Sequence, residues 1–366
     1  MRSKIMIIAN DTTYVYNIRR ETVERLIDMG YDVIVVAEAL MHTDELIEMG
    51  ARFINLSTPR RGTNPLNDAK LFFQYIKILK ESKPDVVLSF NIKPNVYGGM
   101  ACRLLGLRYL VNVTGLGTAL EIPGKLQKLT VMLYKAGVAG ADCVFFQNTE
   151  NEKFFRDRKM LSKKSKVCLL PGSGVNLLSH PVLPYPNDDK MHFLFIARIL
   201  KEKGIDQYLE VAEHFKSKRD DMVFHICGGC DDAKYEEIIA DAQRRGVVEY
   251  HGAQSDMTPF FEKASCIVHP SYYPEGMSNV LLEAAASGRP VIATERSGCH
   301  ETVDDGVSGY IVPIKETKPV IEALEKFLAL SWEERRDMGL AGRAKVEREF
   351  DREIVVEKYL DEISRV

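Results

Sequence analysis

No apolar run in the sequence approaches the roughly 18 residues a membrane-crossing helix needs. Its uncharged apolar stretches, such as VVLSF and VFF, have the length of strands. The opening MRSKIMIIAN has a basic flank, but its apolar run is only five residues and no small-residue cleavage site follows. It reads as a first strand rather than a leader, and a cytoplasmic protein is expected. Cysteine is sparse and odd in number: seven, at 102, 143, 168, 227, 230, 266 and 299. That scatter suits reduced thiols better than a disulfide framework. Cys227-Gly-Gly-Cys230 has metal or redox spacing, but no second ligand pair lies nearby. A glycine pair also ends a strand where a redox motif would begin a helix.

Two nucleotide loops are missing as well. After the first strand comes ANDTTYVYN, without a glycine; TGLGTAL has Gly115 and Gly117 but no third glycine, and CGGCDD fails the spacing. Neither G-x-G-x-x-G nor G-x-x-x-x-G-K-[ST] occurs, which argues against hydride transfer and NTP hydrolysis.

What is present is ordinary for a soluble enzyme: 45% hydrophobic and 28% charged residues, with a mean hydropathy of -0.16. A chain of 366 residues is long for one domain, and about two are expected. The net charge of -3 is uneven. Residues 1–180 hold 25 Lys/Arg against 17 Asp/Glu (+8), and residues 181–366 hold 24 against 35 (-11). The basic half suits an anionic partner, a membrane surface or a diphosphate, and solvated faces account for it equally well.

Strand-like and helix-like stretches alternate throughout. KIMIIAN, DVIVVAE, ARFINL, DVVLSF, YLVNVT, DCVFFQN and KVCLLP read as strands in the first half, separated by helical patterns such as IRRETVERLIDMG and NDAKLFFQYIKILKES. HFLFIAR, MVFHICGG, VEYHGA, CIVHPS, PVIATE and GYIVP follow in the second. Continuous apolar runs fit parallel sheets covered on both faces. Between the halves, LSHPVLPYPNDDK (178–190) has three prolines and no periodicity, so it reads as a linker. The expected fold is α/β, with two doubly wound Rossmann-like domains facing across a cleft. The expected division is 1–178, then 190–350, with a helix over 351–366 packing back toward the first domain.

Ligands of open parallel sheets bind at the carboxyl ends of the strands. Arg198 ends the strand FLFIAR, and Lys203-Gly204 follows just before the next helix. Such cations are usually solvated in turns. The stretch YYPEGMSNVLLEAAASG gives them company. A helix starting near Ser278 would aim its first N–H groups and the positive end of its dipole at an anion. Gly276 would allow a ligand close to the backbone. Glu283, about one and a half turns in, would reach a ribose; among Leu282 and Ala284 to Ala286, a carboxylate without a partner would be costly.

These residues resemble retaining glycosyltransferases of family GT4, which have the GT-B fold. The resemblance rests on R-x4-K after a strand, then E-G-M-S-N-V-L-L-E, then GRPVIATERSGCHETVDDGVSGYIVP. FNIKPNVYGG and VNVTGLGTAL resemble the subgroup that extends undecaprenyl-diphosphate-linked sugars, notably bacterial N-acetylgalactosaminyl- and galactosyltransferases. The resemblance implies that Arg198 and Lys203 grip the diphosphate of a UDP-sugar and that Glu283 holds its ribose. It implies that Glu275, with the backbone of Gly276, Met277, Ser278 and Asn279, contacts the donor sugar and distal phosphate. The nucleobase would lie near Gly228 and YHGAQSDM.

No metal cofactor is implied, and no D-x-D lies between strands. The departing phosphate oxygen would take the acceptor's proton, with Glu275 orienting the sugar. Arg19, Arg20, Arg60, Arg61 and Lys93 are the cations expected to meet a lipid diphosphate and an anionic membrane surface, in a protein peripheral on the inner face of the plasma membrane. No nucleic-acid partner is expected. A soluble carbohydrate acceptor, a UDP-sugar 2-epimerase and a noncatalytic nucleotide-sugar-binding subunit stay open as alternatives. The chain departs from the family where NDTTYVYNIRR replaces a glycine pair, where His300 replaces a proline before Glu301, and where Asn112, Thr114 and Gly115 occupy the place of a common histidine.

Overall fold

A computed structural model describes residues 3–57, 64–117, 120 and 123–365 of the chain. Arg60 and Arg61 lie outside the described residues. Within them, each apolar run named above contains a strand. The first set is β1 (Lys4–Asp11), β2 (Asp32–Glu38), β3 (Arg52–Asn55), β4 (Val86–Phe90), β5 (Arg108–Val113), β6 (Cys143–Phe146) and β7 (Lys166–Leu169). The second is β8 (Met191–Ile196), β9 (Met222–Cys227), β10 (Glu249–Tyr250), β11 (Cys266–His269), β12 (Val291–Thr294) and β13 (Gly309–Val312).

The strands form two sheets, ordered β3-β2-β1-β4-β5-β6-β7 and β10-β9-β8-β11-β12-β13. All strand pairings in both are parallel. Each order reverses once, between β1 and β4 and between β8 and β11, so each sheet is doubly wound with one switch point. Covering both faces explains why β4 and β11 are buried at every position.

Local chemistry sets the helix ends. Pro65–Ser82 starts where Asn64 Oδ1 accepts the Leu66 N–H at 3.0 Å, with Pro65 in the first turn, where its missing N–H costs nothing. It stops at Lys83, in the left-handed region at φ 49, just before Pro84. The first helix, Thr12–Asp28, begins earlier than its periodic pattern suggests. Asp11 Oδ1 accepts the Tyr14 N–H at 2.8 Å, and this cap carries the β-branched and aromatic TTYVYN into the helix.

Two compact units result: Met1–Ser173 with Glu275–Met277 and Arg352–Val366, and Gly174–Pro274 with Ser278–Asp351. The proline-rich stretch 178–190 is therefore no free linker, because backbone and side-chain bonds fasten it to the second unit. Leu183 N–H donates to Ser287 O at 3.2 Å, and the Tyr185 hydroxyl donates to Ser265 O at 2.9 Å. Arg289, fully buried, donates to Leu183 O and Pro184 O, and Trp332 Nε1 donates to Pro186 O. Prolines break periodicity without freeing a chain whose carbonyls are taken up this way.

The Arg352–Ile363 helix belongs to the first unit. It buries Val355, Val356, Tyr359, Leu360 and Ile363 in the core built from β1, β2, β4 and β6. The Tyr359 ring meets Phe145 edge-on at 4.9 Å, and Arg352 pairs with Glu21 at 3.1 Å with both side chains largely buried.

Candidate functional site

At the switch point of the six-stranded sheet the chain leaves β8 and β11 side by side. Beyond β8, Ala197 N–H donates to Cys227 O at 3.1 Å and Ile199 N–H to Gly229 O at 2.9 Å, which sews this loop to the end of β9. Gly228 makes the approach possible: a Cβ there would stand 1.7 Å from Ala197 O. Arg198 lies between the two anchors, exposed. The short turn Lys201–Lys203 ends at Gly204, with φ +80 and its Cα so close to the end of β11 that a Cβ would lie 2.2 Å from Pro270 O.

Lys203 is thereby held half-buried beside β11, its Nζ 4.8 Å from the Tyr273 ring centroid. Burial, offset by the Cys299 thiol and reinforced by the Arg198 charge, pulls its pKa down to about 8. A desolvated ammonium repelled by a neighbouring guanidinium is a pair that a bound anion would relieve.

The helix after β11 is Asn279–Ala286, with Ser278 as its N-cap. Ser278 makes no side-chain capping bond. Its hydroxyl stands 3.3 Å from His269 Nε2, and its N–H donates to Gly298 O at 2.7 Å. Gly298 is placed in turn by Glu301, which accepts the Gly298 N–H at 2.6 Å and the Ser297 hydroxyl at 2.8 Å. The N-cap hydroxyl is thus engaged with the His269 ring rather than with its own helix. Leu281, Leu282 and Ala284 to Ala286 are buried, and Glu283 sits half-buried among them. Asn279 Oδ1 is enclosed without a hydrogen-bond partner among the described residues.

His269, at the end of β11, links the two halves of this arrangement. It touches the Ser278 hydroxyl, and burial with the Lys203 charge pushes its pKa down to about 3, so the ring stays neutral. The sequence reading passed over it inside the strand CIVHPS. The signal was a lone polar residue at the carboxyl end of an apolar run.

Glu275, Gly276 and Met277 belong to the first unit. Asn148 Nδ2 donates to Glu275 O at 3.2 Å and Gly276 O at 2.5 Å, and Asn151 Nδ2 donates to Glu275 O at 3.4 Å. Asn148 also caps the helix Thr149–Asp157 by accepting the Asn151 N–H at 2.8 Å. Gly276 was expected to admit a ligand, but the space its missing side chain leaves is occupied by protein. A Cβ there would lie 2.1 Å from Gln147 Oε1 and 2.4 Å from Thr114 O. Asn148 and Asn151 were missed; the signal was the polar QN directly after the apolar core of β6.

The expected acceptor-side cations are corrected by their surroundings. Arg19 is buried, on the inward stripe of its helix with Val15, Thr22 and Leu26. Its guanidinium lies 4.6 Å from the Phe90 ring centroid and donates to Ser173 Oγ at 3.2 Å. Lys93 pairs with Asp68 at 2.9 Å, and both side chains are largely buried. Arg20 faces Glu24 at 3.7 Å on the same helix. Arg19 and Lys93 are therefore structural rather than lipid-facing. Cys227 is buried and its thiol is pushed up to about 12 by burial, the opposite of a reactive thiol.

Residues 184–345 match the family model described as glycosyl transferases group 1, and residues 4–148 match glycosyl transferase 4-like. A curated relative from Campylobacter jejuni, N,N'-diacetylbacillosaminyl-diphospho-undecaprenol alpha-1,3-N-acetylgalactosaminyltransferase, is 27% identical over 370 residues, covering 96% of each chain. The amylovoran biosynthesis glycosyltransferase AmsK of Erwinia amylovora is 26% identical, covering 94% of this chain and 95% of its own. Among solved structures, Anabaena HepE in complex with UDP and glucose superposes with a TM-score of 0.81 at 13% identity, covering 100% of both chains. Two doubly wound sheets, a cationic switch point in the second, and matches along both halves make this chain a member of the GT4 glycosyltransferases of GT-B fold.

Proposed function

We propose that the protein transfers a hexose or N-acetylhexosamine from a UDP-sugar to a glycan carried on undecaprenyl diphosphate, with retention of anomeric configuration and without a metal cofactor. Its place would be the inner face of the plasma membrane, in the assembly of a bacterial surface polysaccharide or glycoprotein glycan. One observation carries the donor half: Arg198 and Lys203 are held beside each other, next to a helix start whose N-cap side chain is turned toward His269.

The chemistry follows from charge. As the bond between sugar and phosphate breaks, the nucleoside diphosphate gains negative charge. In this reading Arg198, Lys203 and the amides following Ser278 take up that charge, and preorganised donors of this kind each contribute on the order of 3 kcal/mol. Glu283 takes the ribose hydroxyls and Glu275 orients the sugar. The departing phosphate oxygen accepts the proton of the incoming hydroxyl, so no side chain has to act as nucleophile.

Support for the acceptor half is the lipid-linked substrate in the name of the Campylobacter relative, together with one helix of the first unit. Lys125–Val138 exposes Leu126, Leu129 and Met132 beside the exposed Lys125 and Lys128, a pattern suited to an anionic bilayer surface. Among the described residues no helix is long and apolar enough to cross a membrane.

The test supplies a panel of UDP-sugars with an undecaprenyl-diphosphate-linked glycan and reads product mass and anomeric configuration. One sugar added to the lipid-linked glycan, with retention, is expected. Transfer only to free saccharide, or an isomerised UDP-sugar formed without acceptor, would replace this reading.

A further inference from the structure

A chain of histidines crosses the edge of the second sheet, and none of its side chains is among those proposed above to hold the donor's diphosphate, ribose or sugar. His192 lies on β8, His225 on β9, and Glu249 with His251 on and just beyond β10, the edge strand. Leu194 is in register with His225, and His225 with Glu249. Residues two apart on a strand share a face, so all four side chains fall on one face.

His225 Nδ1 stands 3.0 Å from His251 Nε2 and 3.3 Å from Glu249 Oε2. The three possible ligand atoms lie within 4.8 Å of one another. Ligands held tetrahedrally at about 2.0–2.1 Å from a zinc-class ion are spaced roughly 3.3 Å apart. The two edges that meet at His225 Nδ1 thus stand near the spacing of such a tetrahedron.

The other side of His225 is equally suited. Its Nε2 faces His192 Nδ1 at 2.8 Å, and His192 Nε2 lies 3.5 Å from Asp188 Oδ2. A metal-bound imidazole needs such an acceptor for its distal N–H, which fixes the tautomer and turns the Nδ1 lone pair toward the ion. His251 would move its proton from Nε2 to Nδ1 on binding. The Glu249 side chain is 58% exposed and, with His251, lines a cavity of about 450 Å3, so an ion has a way in.

We propose that His225 Nδ1, Glu249 and His251 Nε2 form a binding site for a divalent transition metal of the zinc class, with His192 as the positioning residue behind His225. Two imidazoles and one carboxylate select such an ion over magnesium or calcium, which take oxygen ligands. The ion would pin β10, only two residues long, to β9.

The test uses the tag-free full chain, stripped by chelator and dialysed, then titrated with Zn2+, and in parallel with Co2+ read by its visible d–d absorption. One equivalent bound, a four-coordinate cobalt spectrum and a raised Tm are expected. Glu249→Gln should weaken binding at least 10-fold, and His192→Phe by about 10–100-fold through the lost orienting bond. Cys230→Ser should bind as the parent does. His225→Ala hollows a buried position and can unfold the chain, so the partly exposed ligands carry the test. Stoichiometry well below one, parental affinity in both Glu249→Gln and His251→Gln, or loss of binding in Cys230→Ser would each overturn the proposal.

Discussion

An ammonium that gives up its proton near pH 8 is a poorer phosphate ligand above that pH. Lys203 has this property because burial favours its neutral form and Arg198 adds repulsion. Its charge is present below pH 8 and lost above, so kcat/KM for the donor should fall as pH rises through about 8. Lys203→Arg, whose guanidinium does not titrate there, should have a lower maximum but no alkaline limb of this origin. A pH–rate profile identical in the two proteins would remove Lys203 from the donor site. Arg198→Ala and Lys203→Ala should each lower turnover by ~10²- to 10³-fold with circular dichroism unchanged. Near-parental turnover in either variant ends that residue's role. These two cations were legible in the sequence because both follow one strand within a few residues. His269 was not, since only the fold reveals that its ring meets Ser278 and lies near Lys203.

Glycines that permit close crossings show how whole elements are positioned. Gly276→Ala would set a methyl 2.4 Å from Thr114 O, a backbone atom that cannot swing aside. A stability loss of about 1–3 kcal/mol is expected, with lower turnover because Glu275 shifts. Gly229→Ala is the control, since its Cβ would meet only Ala253 Cβ at 4.0 Å. Denaturant midpoints of the two variants decide the matter, and equal midpoints would show that the 274–278 loop tolerates displacement. Asn148→Ala should cost about 1 kcal/mol as a lost helix cap while also removing a donor to the Gly276 carbonyl and one of the two amide donors to Glu275 O. The strands themselves were readable from apolar runs alone, whereas the first turn of Thr12–Asp28 was not. There the Asp11 cap outweighs the weak helix propensity of TTYVYN.

The chain ends inside the unit in which it begins. Truncation after Phe350 would strip Val355, Val356, Tyr359, Leu360 and Ile363 from the first unit's core. At roughly 1.5–3 kcal/mol for each buried side chain, the loss is comparable to the whole stability of a domain. The truncated protein should be insoluble or bind hydrophobic dyes, and a monodisperse, cooperatively unfolding product would contradict this account of the core. Catalysis without a metal cofactor predicts that Glu249→Gln, whose proposed metal site is weakened, turns over unaffected by EDTA, and activity in that variant restored only by a divalent ion would refute it. UDP at 100 times its Kd should stabilise the parent by roughly 2.7 kcal/mol, and Arg198→Ala far less at the same concentration.

Alternating apolar runs and helical patterns determined two doubly wound sheets, because period and length are local properties of the chain. The placement of Arg198, Lys203 and the Asn279–Ala286 helix at strand ends followed for the same reason. Tertiary structure alone decided that Glu275 and Glu283, eight residues apart, fall in different compact units. It also decided that 178–190 is fastened down, that Arg19 is interior, and that His192, Glu249 and His251 converge around His225. Such neighbours depend on strand register and on which carbonyls and amides find partners far along the chain, and no local pattern encodes those.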